Sequence, residues 1–205
     1  MGADSLILNP NQSGSLDFNK NFYISANTPI SAIDSSKYEM IDKDSIAVKF
    51  NVQIDSIENK VDFDFEVEPN QSYNLNMLPG AITDFFKETN DSLNYILSTN
   101  SLADYGNLRL TVQVDSSAYP LLVQLIDQQG SLKQEIYAEK PQSYEFNTIE
   151  PAEYFLRVIF DENGNKKWDT GNFLKNLQPE RVSYYPDTLE IRANWEVQET
   201  FIISN

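Results

Sequence analysis

The sequence predicts an all-β chain arranged as two tandem β-sandwich domains. Three observations carry this: apolar residues that alternate with polar ones at period 2, turn-forming clusters that cut those runs into short pieces, and a polar stretch near residue 100 that separates two such series. At 205 residues, with 40% hydrophobic and 12% aromatic side chains, the chain has enough material for two cores. Domains commonly hold about 100 to 150 residues. The expected boundaries are 1–102 and 103–205.

In the first series, Leu16 and Phe18, then Phe22 and Ile24, suggest strands that end at Asn27-Thr28-Pro29, and Tyr38 to Ile41 suggests another. Ile46, Val48, Phe50, Val52 and Ile54 alternate with Lys49, Asn51, Gln53 and Asp55. Val61, Phe63, Phe65 and Val67 then alternate with Asp62, Asp64 and Glu66. The two runs read as an antiparallel hairpin that keeps its carboxylates on the solvent face. Tyr73, Leu75 and Met77 continue the pattern until Pro79-Gly80. Residues 81–88 are the one place for a short helix, because Ile82, Phe85 and Phe86 fall at i, i+3, i+4. Leu93, Tyr95, Leu97 and Thr99 close the series. Around seven short strands in about 100 residues is the sequence form of an Ig-like sandwich.

After the polar stretch at 100–107, Leu108, Leu110, Val112 and Val114 alternate with polar residues. Leu121 to Asp127, the Gln129-Gly130 turn and Leu132 to Ala138 then predict a hairpin. Tyr144 and Phe146 follow, and Tyr154, Leu156, Val158 and Phe160 form a further strand. Leu189, Ile191, Ala193, Trp195, Val197, Phe201 and Ile203 share one parity, which predicts a single long closing strand with Trp195 in the core.

Composition removes several function classes. There is no cysteine and no histidine, which leaves no thiol nucleophile, no disulfide, no Cys/His zinc site, no histidine base and no Ser-His-Asp triad. With 15 Lys plus Arg against 31 Asp plus Glu, the net charge of -16 opposes nucleic acid and anionic membrane surfaces as partners. No run approaches the roughly 18 apolar residues of a membrane helix, and the opening MGADSLILNP has no basic-then-apolar export signal. No residues single out a phosphate-binding glycine loop, a carboxylate pair in one cleft or a Lys–Asn isopeptide trio.

The segment whose residue types suggest chemistry is Phe160 to Asn172, FDENGNKKWDTGN. Asp161, Asn163, Asn165 and Asp169 place side-chain oxygens at alternating positions, and the Lys167 carbonyl can add another. Calcium, which takes about 6 to 8 oxygen ligands, is the cation such a loop would hold, for a structural purpose. The loop departs from the helix-loop-helix pattern: Gly164 is at position 4, Lys166 at position 6, Asn172 at position 12, and the flanks are strand-like. Two anionic ligands beside two lysines predict weak affinity, with Kd of about 10⁻⁴ to 10⁻³ M. The same residues also suit a metal-free loop in which Asp and Asn cap their own backbone and Gly164 takes a positive φ. Both readings stand on the sequence. In either, the loop is expected to pin a crossover at one end of the second sandwich. Trp168, Trp195, Tyr184 and Tyr185 could form a carbohydrate platform, although Trp195 has core parity.

The run YGNLRL at 105–110, VQLID, the EPAEYFLRVIFDENGNKKWDTGNF block, QPERVSYYP and RANWEVQETF resemble the C-terminal portion of Ig-like-domain surface lipoproteins of Bacteroidetes. Ile30 to Met40 and LPGAITDFFKETND resemble that family's bacterial Ig-like domain. The resemblance covers essentially the whole chain. It implies an Ig-like sandwich followed by a prealbumin-like or carboxypeptidase-regulatory-like one. It also implies location in the cell envelope, at the outer-membrane surface or in the periplasm, with any lipid anchor upstream. The expected function is a non-enzymatic structural or binding module whose partner is a protein or glycan of the envelope. A binding module would expose aromatics or an edge strand, a spacer would be polar and rigid, and an enzyme would need a deep pocket of convergent carboxylates.

Overall fold

The computed structural model describes residues 5–171, 174 and 176–204. These form eighteen strands and three single 3-10 turns, and the chain divides into two compact units between Ser101 and Leu102. Alternation sets the strands and turn residues end them. Every buried side-chain polar atom among the described residues has a hydrogen-bond partner.

Unit 1 contains β1 (Leu8–Pro10), β2 (Gly14–Ser15), β3 (Phe22–Ala26), β4 (Ile30–Ile33), β5 (Tyr38–Ile41), β6 (Phe50–Asp55), β7 (Lys60–Phe65), β8 (Ser72–Met77), β9 (Ile82–Asp84) and β10 (Leu93–Ser98). One sheet has the order β1-β3-β7-β6 and another β2-β10-β8-β5, with β4 and β9 paired as a separate ribbon. Phe22, Ile24, Val61 and Phe63 from the first sheet meet Met40, Tyr73, Leu75 and Leu97 from the second in one core. Each such side chain contributes about 1.5 to 3 kcal/mol by leaving water. The β6–β7 hairpin sets Asn51 opposite Asp64 and Gln53 opposite Asp62, leaving their parity to the solvent side. It starts later than its alternation suggests. Ile46 is 63% exposed, because the Asp42 carboxylate accepts the amides of Asp44 and Ile46 and bends the chain there.

The helix expected at 81–88 is instead a strand and a turn. Ala81 and Ile82 are fully buried, whereas Phe85 and Phe86 are 68% and 54% exposed, so the three aromatic and aliphatic positions share no face. Asp84, also fully buried, accepts the Glu88 amide and the Thr28 hydroxyl, both at 2.8 Å. Lys87 takes a left-handed φ of 73°, which no α-helix tolerates.

Unit 2 contains β11 (Gly106–Gln113), β12 (Leu121–Ile126), β13 (Leu132–Ala138), β14 (Ser143–Ile149), β15 (Ala152–Phe160), β16 (Val182–Tyr184), β17 (Leu189–Ile191) and β18 (Glu196–Ile202). A three-stranded sheet has the order β14-β11-β18, with β18 parallel to β11; the other sheet has the order β13-β12-β15-β16, with β17 on the far end of β15. Leu108, Leu110, Phe146 and Phe201 pack against Val123, Leu125, Leu156 and Val158 to form the core. β12 is buried on both faces: Leu121, Val123 and Leu125 face the core, and Leu122, Gln124 and Ile126 are covered as well.

The single closing strand is in fact two strands in different sheets. β17 pairs with β15 and β18 with β11, and Arg192 to Trp195 turn between them, with Asn194 at a φ of 58°. The turn reverses the expectation for Trp195, which is 59% exposed with the Arg192 guanidinium 5.5 Å from its ring centre. Parity holds only while the chain stays extended, and a left-handed residue ends it.

Candidate functional site

The inward side chains of β15, namely Tyr154, Leu156, Val158 and Phe160, are held in the core, which fixes where the next residue emerges. That residue is Asp161, only 1% exposed, whose amide donates to the Pro120 carbonyl. The chain returns beside it. The Phe160 amide donates to the Arg181 carbonyl at 3.0 Å, the Arg181 guanidinium lies 3.6 Å from the centre of the Phe160 ring, and Ile159 pairs with Val182. Residues 161–181 are therefore the connection of an antiparallel β15–β16 hairpin. The crossover expected here is not formed, since both flanking strands are neighbours in one sheet.

Within the connection, successive carboxamides and carboxylates wrap the backbone. Asp161 Oδ1 accepts the Asn165 amide at 3.1 Å and Oδ2 the Lys166 amide at 2.9 Å. Asn163 Oδ1 accepts the Asn165 amide and Asn165 Oδ1 the Lys167 amide. Asp169 Oδ2 accepts the side-chain amides of both Asn163 and Asn165, the latter at 2.8 Å. Gly164 and Lys166 take left-handed φ values of 71° and 63°, which curl the backbone so that Asp161 reaches the amides four and five residues on while the Asn163, Asn165 and Asp169 side chains meet. Lys167 takes part through its backbone amide. Asn172, the twelfth position, lies outside the described residues.

The Lys166 ammonium sits 4.8 Å from the centre of the Tyr137 ring. Burial, and after it the neighbouring Asp161 carboxylate, push the Tyr137 phenol up. The loop thus brings together Asp161, Asn163, Asn165 and Asp169, two carboxylates and two amides. Among the described residues no three acids gather in the way of a preformed cation site. The donor chemistry fits a hard cation that draws the rest of its shell from water and backbone carbonyls, provided that Asn163 and Asn165 present oxygen rather than nitrogen.

One residue missed from the sequence closes the connection. The Glu180 carboxylate accepts the amides of Glu162 (3.1 Å) and Asp169 (2.9 Å), while the Glu180 amide donates to the Asp169 carbonyl. It ties the outgoing half to the returning half. Nothing in local spacing marks it, since its partners are eleven and eighteen positions away. Beside the loop base is an open depression of about 390 Å³ bordered by Asp115, Tyr119, Asp161, Glu162 and Arg181. Two of its acids are already engaged: Asp115 accepts from Ser117, which holds its carboxyl below the usual range, and Asp161 holds the loop.

The expected aromatic platform is split. Tyr185 packs edge-on against Phe201 at 5.5 Å and donates to Glu199, whose carboxylate, with burial, pushes the phenol up to about 12. Trp195 stands apart with Arg192. Trp168 and Tyr184 come together around Arg157. The guanidinium is 5.9 Å from the Trp168 ring centre, and Tyr184 is the cross-strand partner of Arg157. Trp168 is 45% and Tyr184 57% exposed.

No protein family profile matches the chain, and no curated protein matches it. Solved structures that it resembles include the N-terminal part of the bacterial S-layer protein SbsC, at 11% identity and a TM-score of 0.41, covering 95% of this chain and 44% of that one. Native alpha-2-macroglobulin from Escherichia coli aligns at 9% identity and a TM-score of 0.39, covering 88% and 71%. The major pilin subunit of Bacillus cereus aligns at 11% identity and a TM-score of 0.30, covering 97% and 70%. The chain spans less than half the length of the S-layer fragment.

Proposed function

We propose that this chain is a non-catalytic, two-sandwich module of a bacterial cell-envelope protein, of the Bacteroidetes surface lipoprotein kind, whose second unit is stiffened by calcium in the 161–169 loop. The observation that carries the calcium part is the convergence of Asp161, Asn163, Asn165 and Asp169, with Asp161 buried at the loop base. A cation there would draw on Asp169 and on the Asn163 and Asn165 Oδ1 atoms, which now accept backbone amides, and would displace the amide nitrogens that now serve Asp169. Calcium would then hold charge together in the loop without taking part in any reaction.

Support for the module reading is of a general kind: two cores, all-β sheets, and no helix among the described residues that is long and apolar enough to cross a membrane. The acidic surface suits solubility and a raised local cation concentration. Calcium at 5 mM should raise the unfolding midpoint relative to chelator, by about 1 kcal/mol if Kd is near 1 mM. The double variant Asp161→Asn, Asp169→Asn should show no such rise. An unchanged midpoint for the parent protein at 10 mM calcium would remove the calcium reading.

A second reading concerns the outer face of the β13-β12-β15-β16 sheet. Trp168 and Tyr184 offer two exposed aromatic rings beside Arg157, an arrangement suited to a glycan-binding adhesion module. Loss of binding to a surface polysaccharide on Trp168→Ala would support it. A panel of envelope and host glycans without a hit would count against it.

A further inference from the structure

Arg157 is held in place by a side-chain network. Its Nε–H donates to Gln124 Oε1 at 2.6 Å, and Gln124 Nε2 in turn donates to Glu135 Oε2 at 2.5 Å, so that a chain of side chains runs across β13, β12 and β15. Gln124 is 6% exposed, with both ends of its amide engaged in these two contacts. One plane of the guanidinium faces Trp168. A guanidinium held at Nε and covered on one face keeps its two terminal nitrogens in a known plane.

Those terminal nitrogens have no acidic partner among the described residues. The ion pairs of unit 2 there are Arg109 with Glu145 and Glu196, Lys133 with Asp127, and Arg192 with Glu190. Arg157, Lys166, Lys167 and Arg181 take none of the described carboxylates, although acids outnumber bases two to one in the chain. Lys166 and Arg181 lie over aromatic rings instead. In a chain of net charge -16, Arg157 therefore keeps a fixed fork with no carboxylate of its own among the described residues.

Resting on the glycan-binding reading above, we infer that Arg157, Trp168 and Tyr184 form a subsite for one uronic acid residue of an acidic polysaccharide. The fork takes the carboxylate in its plane through two N–H···O bonds. Trp168 and Tyr184 supply flat faces to the apolar C–H faces of the sugar ring. This pairing favours a sugar acid over an acidic peptide, because an Asp or Glu side chain has no ring to cover those two exposed faces.

The test is titration of the full chain with polygalacturonate, with the same polymer methyl-esterified, and with poly-L-glutamate, in calcium-free buffer containing chelator. Polygalacturonate is expected to bind, and the ester and poly-L-glutamate at least tenfold more weakly. Arg157→Gln should lose at least tenfold in affinity for polygalacturonate and Trp168→Ala a similar amount, each keeping a cooperative urea-unfolding transition like the parent's. Should Arg157→Gln misfold, Arg157→Lys keeps the charge but loses the fork, and an unchanged affinity in that variant overturns the inference. Equal binding of polymer and ester, lost in Trp168→Ala but kept in Arg157→Gln, leaves an aromatic glycan site and overturns the uronate. Poly-L-glutamate binding as well as polygalacturonate overturns the sugar. Failure of both polysaccharides to bind removes the glycan reading itself.

Discussion

Two buried aspartates, one per unit, perform the same opening step and then diverge. Asp84 in unit 1 and Asp161 in unit 2 each stand at or just past the end of a strand, each almost fully buried, and each accepts the amide four residues on. Asp42 and Asp127 do this too, with the amides of Ile46 and Ser131 at 2.8 Å. An aspartate that wraps a turn is therefore the chain's ordinary way to leave a strand. Asp161 by that measure alone would be structural. The two loops part at their remaining contacts: Asp84 is completed by the Thr28 hydroxyl, whereas the Asp161 loop adds Asn163, Asn165 and Asp169, whose polar atoms meet one another. Both networks close without an ion, and the second gathers two carboxylates and two amides on one loop.

Mutations can break this comparison in order of size. Asp84→Ala should be the most damaging, at about 2 to 3 kcal/mol in urea unfolding, because it strands the buried Thr28 hydroxyl. Asp161→Ala in chelator should cost less, about 1 to 2 kcal/mol, since Asn165 and Lys166 are exposed and water can take over their amides. Equal losses would mean that the two networks do not differ. Gly164→Ala should cost about 1 kcal/mol through backbone strain alone, because its φ is 71° and a Cβ there would meet no atom within 4 Å.

Calcium sharpens the contrast further. Hydrogen exchange on the intact chain should slow at the Asn165, Lys166 and Lys167 amides when calcium is added and stay unchanged at Glu88. Slowing at both would point to general ionic stabilisation rather than a bound ion.

A smaller effect separates the exposed turns from the buried ones by pH. The Ser131 amide first, and Lys133 and the Gln129 amide after it, hold the Asp127 carboxyl below its ordinary range. A depressed carboxyl stabilises the fold above its unfolded-state pKa, and that contribution is lost as pH falls through the folded value. The difference in midpoint between the parent and Asp127→Asn should therefore shrink as pH drops below about 4. Because Lys133 is exposed, salt should weaken its part of the effect.

Most strands were legible because alternation reports directly on a half-buried sheet. The β6–β7 and β12–β13 hairpins, β8, β10, β11 and β15 all appear where apolar parity places them. Parity failed where one residue left the extended region: Asn194 turned a single closing strand into two and put Trp195 outside, and Asp84 with Lys87 turned a helical spacing into a strand end. β16 was hidden because its three residues, Val182 to Tyr184, are too few to show a period. In the candidate site, Asp161, Asn163, Asn165 and Asp169 were visible through their spacing, since turn-forming oxygens act on neighbours a few positions away. Glu180 and Arg157 were not, since each acts on partners across the sheet or across the connection.

Local and periodic features came from the amino-acid order alone: the all-β class, the short strands, the oxygen-rich loop after Phe160, and the exclusion of histidine and cysteine chemistry. Tertiary structure decided which strands share a sheet, that the loop closes a hairpin, and which aromatic rings meet. Trp168 and Tyr184 lie well beyond Arg157 in the chain, and only the β15–β16 pairing and the fold-back of the connection bring the three together. Local hydrogen bonds and alternation are encoded within a few residues, whereas pairing across a sheet depends on the whole core closing at once.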